Sequence, residues 1–160
     1  MSTPSPVSLK DPAALLATWF GAGLLPKAPG TWGSLAALPF AWVIMAIGGW
    51  QALSAAAIVV FLVGWWAADR VVTDMGVEDP GLIVIDEVVG QWLVLLPVPL
   101  EPWHYLLGFV LFRLFDIAKP WPVSWADRQI KGGLGVMLDD VLAGIYGIVV
   151  LLALSLVWRA

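Results

Sequence analysis

The chain has 160 residues, of which 61% are hydrophobic and only 12% are charged, and its net charge is −4. A soluble domain carries about 25% charged residues, so this composition excludes an ordinary soluble domain and indicates a polytopic membrane protein. The net negative charge argues against nucleic acid as a partner, because nucleic acid is bound by dense lysine and arginine. The absence of cysteine excludes disulfides, thiolate nucleophiles and cysteine-ligated metals.

The predicted fold is all-α, a polytopic membrane helical bundle with about five membrane-embedded helices and short interfacial helices. Residues 1–160 are expected to form a single domain, with residues 1–10 as a flexible tail. Asp11 followed by Pro12 is typical of a helix start, and a short interfacial helix is expected from there to about Phe20. The membrane-embedded helices are then predicted at about Leu35–Trp50, Ala52–Ala68, Leu82–Leu96, Trp103–Ile117 and Met137–Val157, with a second interfacial helix at about Trp121–Ile130.

The first two of these helices come from one uncharged run between Lys27 and Asp69. Gly48 and Gly49 mark a break near its middle, and Pro39 is expected to kink the first helix. Most of the 11 tryptophans fall near predicted helix ends, where an aromatic belt lies at the membrane–water interface. Both signals support a chain that crosses a bilayer repeatedly.

The distribution of lysine and arginine predicts the orientation. Alternating helices place six basic residues on one side and one on the other, so the first side is cytoplasmic. The acidic ends of the third and fifth helices fall on that same side, which predicts a site facing the cytoplasm. The six are Lys10, Lys27, Arg70, Lys119, Arg128 and Lys131, and the one is Arg159.

Two pairs of adjacent carboxylates are the main candidates for a catalytic metal site. Asp86 and Glu87 lie in an otherwise uncharged run, and Asp139 and Asp140 open the last apolar run. A charge at membrane depth costs roughly 2.5–3.5 kcal/mol, and hard oxygen ligands suit Mg²⁺ bridging to a phosphate. Structural roles are the alternatives: an ion pair for Asp86 and Glu87, and capping of the last helix for Asp139 and Asp140.

Several other residues at the same membrane face are candidates for binding a phosphate or the metal. Lys27, Thr31 and Ser34 lie in a glycine-containing segment that either cradles a phosphate or simply turns into the first helix. Arg113 and Asp116 share a helix face and form either an ion pair or part of the site. Lys119 could bind a phosphate oxygen. Asp79 and Asp116 are further possible metal ligands.

These residues favour a carboxylate-held metal that activates water or polarises a phosphoryl group, with an aspartate nucleophile as the less favoured route. The alternative function is a cation-binding membrane transport protein that uses the same acids. Such a pathway needs polar residues throughout the bilayer, and the far halves of the predicted helices carry almost none. A lipid-binding structural subunit would not need paired acids. The sequence carries no signal for an oligomeric state.

At these residues the chain resembles the phosphatidylglycerophosphatase A family of bacteria. The resemblance covers roughly residues 15 to 150, and its motifs occur in order with compact spacing. It is carried by Pro29–Leu35, Asp74–Asp79, Ile83–Gly90, Phe112–Asp116, Lys119–Pro122, Gly132–Asp140 and Ala143–Gly144.

The resemblance implies a magnesium-dependent hydrolase of the bacterial cytoplasmic (inner) membrane. Such an enzyme removes the terminal phosphate of an anionic phospholipid, phosphatidylglycerophosphate, and leaves phosphatidylglycerol. The resemblance also implies helices packed around a central one. Our site hypothesis is that Asp86, Glu87, Asp139 and Asp140 are catalytic and hold Mg²⁺, while Arg113, Lys119 and the segment from Lys27 to Ser34 bind the phosphate.

Overall fold

The computed structural model of the protein describes residues 8–158. Most of the predicted tail, residues 1–7, and Arg159 lie outside the described residues. Within residues 8–158 the chain forms helices and no strand, so the all-helical prediction is confirmed. The α-helices are α1 (Pro12–Ala17), α2 (Pro29–Met75), α3 (Ile85–Leu95), α4 (Pro102–Ala118), α5 (Val123–Gln129) and α6 (Gly132–Trp158), with a 3₁₀ turn at Ala22–Leu24.

Helix α2 is a hairpin of two helical arms, 29–48 and 50–75. The break is at Gly49, whose φ of 66° and ψ of −165° are non-helical, whereas the backbone at Pro39 stays helical. Gly49 therefore makes the predicted break, because glycine accepts a positive φ without strain, and Pro39 does not interrupt the first arm. The first arm also begins at Pro29 instead of Leu35, since the fixed φ of proline suits the first helical position.

Both ends of α2 lie at the same end of the bundle. Gly30, in its first turn, lies against Glu87 of α3. Asp69, in the second arm, accepts a hydrogen bond of 3.1 Å from the Gly133 amide at the start of α6. The chain therefore runs away from this end and returns to it.

Helix α3 is the centre of the bundle, as the family resemblance implies. Most of its residues are buried, and it packs against α2, α4 and α6. Helices α3 and α6 approach closely at Gly90 and Gly144, where a methyl group on Gly144 would lie 2.8 Å from the Gly90 carbonyl oxygen. Trp92 is buried and donates a hydrogen bond of 2.9 Å from Nε1 to the Ala37 carbonyl, which ties α3 to α2.

The outer surface is apolar. Pro29–Met75 and Gly132–Leu156 are long and apolar enough to cross a membrane, and large aliphatic side chains point outward, such as Ile47 at 83% exposure. An exposed apolar surface of this kind belongs in lipid, which indicates a membrane protein. Among the described residues two helices meet the length and hydropathy requirement, fewer than the predicted five. The first two predicted helices are the arms of the single element α2, and α3 and α4 have only 11 and 17 residues.

Candidate active site

A cavity of about 410 Å³ opens at the end of the bundle where both ends of α2 meet α3, α4 and α6. Its wall contains the acids and two of the cations predicted from the sequence, together with charged residues that the prediction did not include. The predicted residues that line it are Asp79, Asp86, Glu87, Arg113, Asp116, Lys119, Asp139 and Asp140.

Three of these acids form a carboxylate cluster on the α3–α6 wall: Asp86, Glu87 and Asp140. One oxygen from each lies within 4.8 Å of the others. The close crossing at Gly90 and Gly144 produces this arrangement, because it brings the start of α3 against the first turns of α6.

The protein compensates the carboxylate cluster only weakly, through Arg113 Nη1 at 4.0 Å from Glu87 Oε1. Asp86 is 8% and Asp140 is 2% exposed, yet Asp86 Oδ1, Glu87 Oε2 and Asp140 Oδ2 have no hydrogen-bond partner among the described residues. Burying an unpaired carboxylate costs several kcal/mol. A bound cation is the group that would offset this cost, so these oxygens fit a metal ion.

Asp139 is the neighbour of Asp140 on α6 but has a different environment. Its Oδ2 accepts a hydrogen bond of 2.8 Å from Lys119 Nζ, and its Oδ1 accepts one of 3.0 Å from the Asp140 amide. Lys119 also bonds Asp127 of α5. Burial alone would lower the pKa of Lys119, but its hydrogen bonds to Asp127 and Asp139 raise that pKa well above its ordinary value. Asp139 thus has a permanently charged partner.

Arg113 organises the α4 side of the cavity. Its Nη1 bonds Asp116, as the i,i+3 spacing predicts, and lies 4.0 Å from Glu87 Oε1. The same nitrogen donates a hydrogen bond of 3.4 Å to the Ser34 hydroxyl, while the buried Nε has no partner among the described residues. Arg113 therefore borders the carboxylate cluster and has a hydrogen-bond donor free.

Three predicted phosphate-binding residues do not line the cavity: Lys27, Thr31 and Ser34. Lys27 is exposed before α2. Thr31 and Ser34 lie within the first turns of α2 instead of in a loop, and the Ser34 hydroxyl is buried and donates to the Gly30 carbonyl at 2.9 Å. The segment that was expected to cradle a phosphate is helical, and only Ala28, Pro29 and Gly30 of this region reach the cavity.

The sequence prediction missed Glu78, Asp127 and Lys131, which also line the cavity. Glu78 and Lys131 form an exposed ion pair of 2.8 Å between the α2–α3 and α5–α6 connections. Asp127 lies on α5, within the predicted interfacial helix, and its carboxylate accepts a hydrogen bond from Lys119. The available signal was the position of all three residues at the membrane face where the other charges were predicted to gather.

Fold and site together define a helical membrane protein with an acidic centre that fits a cation and is bordered by arginine and lysine. The family model of phosphatidylglycerophosphatase A matches residues 15–155. The chain belongs to the phosphatidylglycerophosphatase A family, as its sequence motifs indicate.

Curated relatives agree with this assignment. A phosphatidylglycerophosphatase A of Escherichia coli is 44% identical over 88% of this chain and 82% of its own. That of Haemophilus influenzae is 42% identical over 93% of this chain and 92% of its own. A Bacteroides thetaiotaomicron protein provisionally named a phosphatidylinositol-3-phosphatase is 42% identical over 86% of this chain and 89% of its own. No solved structure gives a significant match to the chain.

Proposed function

We propose that this protein is a magnesium-dependent lipid phosphatase that hydrolyses the terminal phosphate of phosphatidylglycerophosphate to give phosphatidylglycerol. The names of its Escherichia coli and Haemophilus influenzae relatives support this substrate. The observation that carries the proposal is the buried carboxylate cluster, whose three unpaired oxygens lie beside Arg113 and Lys119. Such a site accommodates a cation and a phosphate together.

Asp86, Glu87 and Asp140 would hold the magnesium, since one oxygen of each has no hydrogen-bond partner among residues 8–158 and hard oxygen ligands suit this ion. Asp79, Asp116 and Asp139, the other acids predicted as metal ligands, line the same cavity. Bound magnesium supplies charge stabilisation at a phosphoryl oxygen and lowers the pKa of a coordinated water.

The remaining residues bind the phosphate and move a proton. Arg113 Nε is buried and unpartnered, so it is available to donate to a phosphoryl oxygen. We assign Asp139 as the acceptor of the proton from the attacking water, because Lys119 Nζ holds its carboxylate at 2.8 Å and both residues line the cavity. Water attack then breaks the bond between phosphorus and the glycerol oxygen, and Asp139 passes the proton that it took from water to this leaving oxygen.

The proposal places the single helical domain in the bacterial inner membrane. Its membrane-embedded segments would be the two arms of α2 together with α3, α4 and α6. The cavity faces the cytoplasm, since Lys27, Lys119 and Lys131 precede or follow helices at that end. Lipid tails approach from the side, where the outer surface is apolar.

The alternative, a cation transport protein, has less support. The charged side chains buried within residues 8–156 are Asp86, Asp139 and Asp140, and all three line the one cavity at one end of the bundle. A transport route needs polar groups across the whole bilayer.

Release of inorganic phosphate by the purified protein tests the proposal. In detergent micelles with phosphatidylglycerophosphate, we expect release with Mg²⁺, none with EDTA, and recovery when Mg²⁺ is added back. A folded, monodisperse protein that releases no phosphate under these conditions would contradict the enzymatic proposal. Uptake of Mg²⁺ by sealed proteoliposomes without phosphate release would favour transport instead.

A further inference from the structure

The exposed ion pair between Lys131 and Glu78 has no part in the chemistry proposed above. Both side chains line the cavity, but they are 58% and 73% exposed, whereas the side chain of Glu87 is 13% exposed and Asp86 and Asp140 are buried. The pair therefore lies at the mouth of the cavity and the cluster at its floor. It also joins the α2–α3 connection to the α5–α6 connection, both of which line the cavity.

Three basic residues of the described chain line this cavity: Arg113, Lys119 and Lys131. Arg113 and Lys119 are each paired with acids and are only 14% and 30% exposed. The partner of Lys131 is an exposed carboxylate, and an exposed pair of this kind contributes only about 0–1 kcal/mol. Lys131 is thus the cation that an incoming anion displaces from its partner most easily.

The substrate proposed above carries two anionic groups. Its terminal phosphate is a monoester, and one glycerol unit away a phosphodiester joins the headgroup to the diacylglycerol. When the monoester lies at the floor beside the carboxylate cluster, the diester lies nearer the mouth. Lys131 immediately precedes α6, a candidate membrane span, so it is also at the depth where lipid phosphodiesters lie.

We propose that Lys131 releases Glu78 when substrate enters and binds the phosphodiester of the lipid instead. Lys131 would then be a residue that determines specificity for a headgroup with two phosphates, a role that rests on the proposed function. Glu78 competes for the lysine in the empty cavity and repels the same phosphodiester.

The test measures each half of the substrate separately. Dihexanoyl phosphatidylglycerol carries only the diester, and inorganic phosphate stands in for the monoester, so both serve as competitive inhibitors of phosphate release. For Lys131→Gln we expect KM and the inhibition constant of dihexanoyl phosphatidylglycerol to rise about tenfold. The kcat and the inhibition constant of inorganic phosphate should stay within about twofold of wild type.

Two further variants make the result specific. Glu78→Gln removes the competing carboxylate and should lower KM and the same inhibition constant about threefold. Arg128→Gln removes an equal charge from an exposed residue that bonds the Ser124 carbonyl and does not line the cavity, and it should change neither constant.

An unchanged KM in Lys131→Gln, or an equal rise in the inhibition constant of inorganic phosphate, would overturn the role of Lys131. Failure of the proposed function looks different, because the wild-type protein would then release no phosphate at all. In that case calorimetric binding of dihexanoyl phosphatidylglycerol to wild type and to Lys131→Gln still decides the inference. About tenfold weaker binding supports it, and equal binding overturns it.

Discussion

The two walls of the cavity hold their carboxylates in opposite ways. On the α3–α6 wall, Asp86, Glu87 and Asp140 each have one oxygen without a hydrogen-bond partner in the part of the chain that the structure describes. On the α4–α5 side, Arg113 bonds Asp116, and Lys119 bonds Asp127 and also Asp139 of α6. Successive helical residues point about 100° apart. The adjacent Asp139 and Asp140 therefore face different sides of the cavity, Asp139 toward Lys119 and Asp140 toward Asp86 and Glu87. The unpaired oxygens of the α3–α6 wall therefore fit a metal ion, whereas the carboxylates on the other side already have protein cations.

Asp140→Asn is the variant expected to have the largest effect, because it removes a ligand from the unpaired wall. Phosphate release should fall by more than about a hundredfold. Without metal the variant should be at least as thermally stable as wild type, since a buried unpaired charge is gone. Mg²⁺ should raise the melting temperature of wild type but not of the variant.

Asp74→Asn is the matched control, because Asp74 is exposed and its 3.7 Å pair with Arg70 lies outside the cavity. It should keep both phosphate release and the stabilisation by Mg²⁺. Near-normal turnover of Asp140→Asn would show that the unpaired wall does not bind the metal.

Lys119→Met should have an intermediate effect, because it leaves Asp139 and Asp127 without their cation. The loss of a partly buried partner should lower the free energy of unfolding by about 1–3 kcal/mol. Phosphate release should fall roughly tenfold to a hundredfold, since a misplaced proton acceptor costs about that much. Denaturant unfolding and steady-state kinetics measure the two effects.

Arg70→Met is the control for Lys119→Met and should change the free energy of unfolding by less than about 0.5 kcal/mol, because the Arg70–Asp74 pair is exposed. If Lys119→Met and Arg70→Met were equally stable and equally active, the distinction between the paired and unpaired walls would be wrong.

Gly30→Ala should have the smallest effect of the three, through a displacement at the junction of the two walls. A methyl group on Gly30 would overlap Glu87 Oε1 and lie 3.1 Å from Arg113 Nη1. We expect kcat/KM to fall about fivefold to tenfold as both side chains move.

Gly81 lines the same cavity with nothing within 4 Å of an added methyl group, so Gly81→Ala should be close to wild type. A Gly81→Ala loss as large as that of Gly30→Ala would mean that the clash with Glu87 is not the cause.

Local signals predict most of the fold. Uncharged runs predict where the helices lie, and glycine and proline predict where they end. Asp11 caps α1 by accepting a hydrogen bond of 2.9 Å from the Ala13 amide, as its sequence context indicates. The start of α2 was missed, because Gly30 and Gly33 favour a loop when only local propensity is considered. In the structure both glycines are buried where the first arm of α2 approaches α3. Close helix packing thus outweighs their low helix propensity.

The site was predictable in composition but not in its pairings. Charge counting brings the acids, Arg113 and Lys119 to one membrane face. It does not reveal that Lys119 selects Asp139 over Asp140, or that Asp69 of α2 caps α6. These contacts join residues far apart in sequence, and they depend on the rotation of each helix about its axis, which hydropathy does not determine in a helix that is apolar on all sides.

The hairpin form of α2 and the place of Asp140 on α6 have a consequence for biogenesis. The carboxylate cluster takes two carboxylates from α3 and the third from the last helix, so a nascent chain that lacks α6 holds an incomplete set. In the proposed metal site, affinity for the ion would therefore arise only after the final helix has docked at Gly90 and Gly144. Capture of the ion would then mark the completion of insertion and hold the first and last parts of the polypeptide together.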